Sequence, residues 1–173
     1  MAKKVGQRTL KATSTTKIDG KLQPQAIELE QAVLGALMID NESLSDTIDS
    51  LQVEYFYRAE HQKIFEAIVN LFNHTQPVDI LTVSEELKRM EELDFVGGLA
   101  YISELTNNVA SSSNTEFHAR IIAEKFIKRS LISISNNIIG DAFNDSVDIF
   151  DLLNTAEEKL FTVTEGTLRK SYE

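Results

Sequence analysis

From residue 24 onward the apolar positions recur at steps of three and four, the spacing of helices buried along one side. "PQAIELEQAVLGALMID" (24–40) sets Leu29, Val33 and Leu37 in line, with Ala26 and Ala36 beside them. Pro24 stands where a helix would begin, since its missing N–H costs nothing in a first turn. Glu28 and Glu30 lie in the opening turns, where they favour the helix dipole. Gly35, inside this helix, costs about 1 kcal/mol relative to alanine, which points to close packing at that position. Asn41 begins a short helix through Leu44, Ile48 and Leu51. In "EYFYRAEHQKIFEAIVNLFNHTQ" a stripe of Phe65, Ile68, Val69 and Phe72, with Ile64 and Leu71 beside it, predicts a longer helix that ends at Asn73-His74-Thr75. Tyr55, Phe56 and Tyr57 precede it, as core aromatics or as a platform on which bases stack.

"PVDILTVSEEL" (77–87) is ambiguous, because its first half is rich in β-branched residues. A capping box decides for helix: Thr82 and Glu85 have the right spacing, with Asp79 as an alternative cap. No hairpin turn or partner strand lies nearby, and a lone strand cannot satisfy its backbone. Gly97-Gly98 makes a turn before a short helix through Leu99, Ile102 and Leu105. A polar linker, "NNVASSSNTEF", follows, with Ser113 or Asn114 available as a cap.

From Thr115 to about Phe143 the pattern is helical without a break. Ile127, Leu131, Ile134, Ile138 and Ala142 form one apolar line, and Ile121, Ile132, Ile139 and Phe143 form a second that points elsewhere. After the polar connection Asn144–Asp148, a last helix carries Ile149, Leu152 or Leu153, Ala156, Leu160 and Val163 as a seam with coiled-coil spacing. The expected fold is therefore all-α, a globular helical lobe followed by a long antiparallel helical hairpin. A hairpin whose long helix has two apolar faces leaves one of them in water. Either the lobe folds back over that face, or the chain associates through Ile121, Ile132, Ile139 and Phe143.

Charge divides the chain unevenly. Residues 1–23 hold six basic residues against Asp19 alone, a net of +5, and since all 173 residues sum to −10 the remainder carries −15. Such a leader, rich in Thr, Ser and Lys, cannot build a core and is expected as a disordered tail, or as an arm that brushes a phosphate backbone. The acidic body argues against direct duplex binding. With 42% hydrophobic residues the rest can bury a real core. No apolar run approaches the ~20 residues of a membrane span, and the N-terminus lacks a signal-peptide core, so a cytoplasmic protein without membrane contact is expected.

Candidate chemistry is sparse. The chain has no cysteine, which excludes disulfides and thiolate metal sites, and His61, His74 and His118 form no ligand motif. No phosphate loop exists: Gly20-Lys21 is followed by Leu22, and the remaining glycines build no cradle. No serine-hydrolase, zincin or kinase set appears. Lys125, Lys128 and Arg129 form a basic patch on the long helix, read as a solvated face or as a partner contact. No catalytic, cofactor-binding or metal-binding residue emerges.

Three stretches, "PQAIELEQAVLGALMID" (24–40), "FYRAEHQKIFEAIVNLFNHTQPVDILTVSEEL" (56–87) and "VGGLAYISELTNNVASSSNTEFHARIIAEKFIKRSLI" (96–132), together resemble the N-terminal domain of the bacterial replicative DNA helicases, the DnaB family. The Glu-x-Glu-x-x-Val-Leu-Gly opening, Pro-Val-Asp-x-x-Thr-Val and Gly-Gly-x-x-Tyr follow in the family's order. Where many members have proline after "NNV", this chain has Ala110, and the basic leader has no counterpart. Composition sets off a basic, disordered leader at 1–23, and the resemblance implies a helical lobe at 24–108, a hairpin at 109–166 and the start of an interdomain linker at 167–173. It implies a homo-oligomer, with dimers within a hexameric ring, whose collar receives primase and in some species a helicase loader. It also implies that ATP and Mg are used by a C-terminal domain beyond this chain, which makes the main DNA contact. Two other readings stand beside it: a free-standing helical adaptor of a replication or restart complex, and a nucleic-acid-binding module acting through the leader. The isolated chain should neither bind nor hydrolyse ATP, and DNA-stimulated turnover by the purified protein would overturn that expectation.

Overall fold

The computed structural model describes residues 17–18, 21–109 and 114–168. Ala110, Ser113, most of the basic leader and residues 169–173 lie outside the described residues. Among the described residues there are seven α-helices: α1 (Ile27–Ile39), α2 (Asn41–Thr47), α3 (Ala59–Asn73), α4 (Ile80–Arg89), α5 (Gly98–Asn107), α6 (Thr115–Ala142) and α7 (Ile149–Leu168). The all-α lobe and antiparallel hairpin are as the sequence predicts. The end of the leader departs from a structureless tail, because Lys17–Ile18 and Lys21–Leu22 pair antiparallel, Lys17 opposite Leu22 and Ile18 opposite Lys21.

The lobe is built around α1, which packs against α6, α5, α2 and α3. Its Val33, Leu34 and Leu37 meet Ile64, Phe65 and Ile68 of α3, Ile102 and Leu105 of α5 and Ile122 of α6 in one apolar cluster. Leu99, expected on the core side of α5, is exposed, while Ile102 and Leu105 are buried. Gly97 adopts φ +100° and Gly98 φ +71° where the chain turns into α5, a conformation that an L side chain would strain. Tyr55 and Phe56 resolve as core: Tyr55 stacks on Phe126 of α6 at 4.8 Å between centroids, and Phe56 lies 4.9 Å from Phe65.

Local chemistry explains the helix ends, and two differ from expectation. α1 begins at Ile27 rather than at Pro24, with Ala26 at its N-cap. Pro24 stays outside the helix, where its carbonyl accepts from Arg129 Nη1 at 2.8 Å. α4 is capped by Asp79 rather than by Thr82. Asp79 Oδ1 accepts from the N–H groups of Leu81 and Thr82, both at 2.9 Å, while Thr82 Oγ1 accepts from Asp79 N–H at 2.9 Å. Two orphan donors and the cap's own N–H are thereby satisfied in one exchange. Asp40 performs the same service for α2 and Asp148 for α7, where its Oδ1 accepts from Phe150 N–H at 2.8 Å. Between α3 and α4, Glu86 accepts from Arg89 at 2.6 and 2.8 Å and from Asn70 at 3.2 Å, and the Arg89 bonds hold its carboxyl below the usual range.

Gly35 is where α1 and α5 come closest. A Cβ there would strike the Leu105 carbonyl and lie 2.6 Å from Val109 Cγ2. Overpacking costs typically about 1–3 kcal/mol and more against rigid backbone, whereas alanine regains only about 1 kcal/mol of helix propensity. Gly35→Ala should therefore lower unfolding free energy by roughly 2 kcal/mol, read as a fall in the urea midpoint at unchanged m-value; an equal or higher midpoint would refute the close approach.

Candidate functional site

Two features of α6 stand out, its root in the lobe and its far half in the hairpin. At the root, Thr115, Ala119 and Ile122 are buried, and Ala123 and Phe126 pack against the core. Among the described residues Arg129 is the last of α6 with a hydrogen bond to the lobe, and the helix also packs against α7.

The root is organised by a buried carboxylate. Glu30 is only 1% exposed and His61 is fully buried. Glu30 Oε1 accepts from Tyr57 N–H at 2.7 Å, and Oε2 accepts from Arg58 N–H at 3.5 Å and faces His61 Nδ1 at 2.6 Å. His61 Nε2 is 2.8 Å from Tyr101 Oη, which accepts from Gln31 Nε2 at 3.1 Å. If Nδ1 carries the imidazole proton, the chain Gln31→Tyr101→His61→Glu30 satisfies each of these groups. The sequence reading gave Glu30 a dipole role in the first turn of α1; burial overrides it. The signal was present, because Glu30 falls in register with Val33, Leu34 and Leu37, and His61 with Ile64, Phe65 and Ile68. A polar residue within an apolar stripe must find partners.

Arg129 supplies the opposing charge. Its Nη1 donates to Pro24 O at 2.8 Å and its Nη2 to Tyr55 O at 2.7 Å. The guanidinium carbon lies 5.4 Å from the Tyr57 ring centroid and 5.8 Å from that of Phe126. Burial pushes its pKa down from the ordinary arginine value, and the nearby charge of Glu30 acts in the opposite direction. The basic patch of Lys125, Lys128 and Arg129 is therefore divided. Lys128 is exposed and Lys125 half-buried, but the Arg129 guanidinium is committed within the chain.

Along the length of α6, the second apolar line keeps its alignment. At 100° per residue, Ile121, Lys125, Lys128, Ile132, Ile139 and Phe143 fall within a sector of about 60°. Ile121 and Ile132 are half-buried, Ile139 is 54% exposed and Phe143 85%. Ile139 and Phe143 of this line are left uncovered, while of the first line Ile127, Ile134 and Ile138 are half-buried and Leu131 and Ala142 exposed. On α7 the seam runs through Leu152, Ala156 and Val163, all half-buried, whereas Ile149 and Leu160, expected in it, are exposed. Phe150, Leu153 and Phe161 are exposed as well, so α7 carries an apolar strip that sequence reasoning missed. Beside Leu131 and Ile132 the leader's last residues, Leu22 and Gln23, border a groove of about 420 Å³.

Among the described residues no group of three or more His, Asp or Glu side chains is arranged to hold a metal ion, and no helix is long and apolar enough to cross a membrane.

Comparison with known proteins shows the family. The sequence model of the family described as "DnaB-like helicase N terminal domain" matches residues 22–124. A replicative DNA helicase DnaB of Rhodothermus marinus is 47% identical over 152 residues, which cover 88% of this chain and 16% of that protein. The DnaB of Geobacillus stearothermophilus is 41% identical over 145 residues, covering 84% of this chain and 32% of that protein. The chain thus spans about a third or less of the curated relatives it matches. Among solved structures, the N-terminal domain of DnaB helicase from Mycobacterium tuberculosis superposes with a TM-score of 0.75 at 30% identity, covering 80% of this chain and 98% of that one. A DnaB-like replicative helicase, described together with its interactions with primase, gives a TM-score of 0.63 at 27% identity over 81% of this chain and 31% of that one.

Proposed function

This chain belongs to the DnaB-like helicase N-terminal domain family, and on that premise we propose that it forms the collar of a replicative helicase ring. In this reading two copies pair through the far half of the hairpin, and the paired collar receives primase. Ile121, Ile132, Ile139 and Phe143 form the interface between copies. Lys125 and Lys128 contribute to the primase contact by charge, and a helicase loader is a further candidate partner. ATP and Mg are used in the part of the relatives that this chain does not span, which also makes the main contact with DNA. The protein works in the cytoplasm.

One observation carries the pairing: Ile139 and Phe143 at the end of α6 and Phe150 at the start of α7 are exposed together at the hairpin tip. Scattered exposed apolar residues are ordinary, but an aligned set on two adjacent helices marks an interaction surface. Support for primase is the relative described with its primase interactions, which matches this chain in fold at 27% identity. Arg129 is left out of the contact because its donors already serve Pro24 and Tyr55.

Replacing Ile132 and Ile139 with Asp should lower the mass measured by light scattering at low micromolar concentration while leaving helicity intact. Burying an unpaired carboxylate in such a seam costs several kcal/mol, more than a modest interface absorbs, and an unchanged mass would remove this face from the reading.

For primase, calorimetry with the C-terminal domain of the cognate primase should detect binding to the parent chain. Lys125→Glu with Lys128→Glu should weaken it and flatten its salt dependence. Equal affinity and equal salt response would remove the two lysines, and failure of the parent chain to bind would remove primase.

A further inference from the structure

Among the described residues, Arg129 is the outermost α6 side chain hydrogen-bonded to the lobe, and Ser133, one turn onward on the same side, is exposed. The two carbonyls that Arg129 holds lie 105 and 74 residues away in sequence, at Pro24 before α1 and at Tyr55 before α3. Neither belongs to an α-helix, so neither carbonyl has a ladder partner there.

The neighbouring contacts are of another kind. Tyr55 stacks on Phe126 with the rings 28° apart, a contact between flat faces that permits sliding. Ala119 and Ile122 are apolar and non-directional in their packing. Among these contacts of the described residues, the guanidinium fork is the directional one. Two donors on one plane, each aimed at a carbonyl from a different segment, fix both the roll of α6 and its tilt. The rings of Tyr57 and Phe126, 5.4 and 5.8 Å from the guanidinium carbon, crowd it further.

We propose that Arg129 is a positioning residue that sets the pose of the hairpin on the lobe, so that one guanidinium and the two carbonyls it holds fix the direction in which the exposed apolar stripe is presented. The proposal does not depend on what that stripe binds. Its leverage follows from length: Phe143 lies 14 residues beyond Arg129, about 21 Å at 1.5 Å per residue, so a swing of about 15° displaces the tip by about 5 Å. Lysine cannot replace the fork, since an ammonium has the charge without the planar pair of donors.

The chain has no cysteine, so spin labels can be placed without background. Glu85→Cys on α4 and Asp145→Cys at the hairpin tip are both exposed positions. Electron–electron distance measurements on the doubly labelled full chain, diluted in unlabelled protein to suppress distances between copies, read the angle directly. Arg129→Gln is expected to broaden or shift the distribution by several ångströms at near-unchanged far-UV helicity, and Arg129→Lys to give an intermediate result. Val83→Ala, which weakens the lobe core away from α6, should lower the melting temperature without altering the distribution. A distribution for Arg129→Gln equal to the parent's, or equal broadening by Val83→Ala, would overturn the proposal. If Arg129→Gln does not fold, Arg129→Lys decides, and a parent-like distribution there overturns it too.

Discussion

A carboxylate taken out of water is the constraint around which the lobe is arranged. Glu30 faces the core from α1, and an isolated buried charge is so costly that its surroundings must be built to receive it. Its partners come from several places: the N–H groups of Tyr57 and Arg58 ahead of α3, the imidazole of His61 within α3, and the field of Arg129 from α6. Tyr101 of α5, bonded to the far side of His61, brings a further helix into the same network. Apolar packing would hold these helices together in many relative orientations, because it is non-directional. Hydrogen bonds to one buried anion select among them. Buried ionic networks are poor sources of net stability but can specify a unique arrangement, and here the arrangement specified is that of α1, α3, α5 and α6.

The lobe and the hairpin obey opposite rules. In the lobe, most apolar side chains that the 3.6-residue period puts inward are buried, Leu99 being an exception. In the hairpin, Ile139, Phe143, Phe150 and Phe161 remain exposed although the chain has the composition to cover them. In the proposed pairing a second copy covers these residues.

Most of this was legible in the sequence, for identifiable reasons. Long periodic stretches gave α3, α6 and α7, and turn chemistry gave Gly97-Gly98 and the break at Asn144–Asp148. Gly35 announced the approach of α5 before any partner helix was known. What failed were assignments that need the third dimension. Period alone cannot say whether Leu152 or Leu153 faces α6, since a rotation of 100° separates them and either fits a 3–4 seam. Nor can it tell that Arg129 turns toward the lobe while Lys128, its neighbour, turns to water. The start of α1 was misplaced because Pro24 is a good first-turn residue by propensity, yet its carbonyl is claimed from 105 residues away. Glu30 was misread for the same reason: a local rule, the helix dipole, was applied where a long-range one decided.

α6 runs as one unbroken helix from the core to the tip, and this makes its length between Arg129 and Ile132 a matter of phase. Inserting a single residue there would leave the lobe intact and every distal side chain chemically unchanged. It would nevertheless rotate the whole outer stripe by about 100° and advance it by about 1.5 Å. Loops absorb added residues; a continuous helix passes them on to everything downstream. Substitutions in this segment should therefore be tolerated far better than insertions or deletions, except for those of about seven residues, which bring the stripe back nearly into phase and change only its reach.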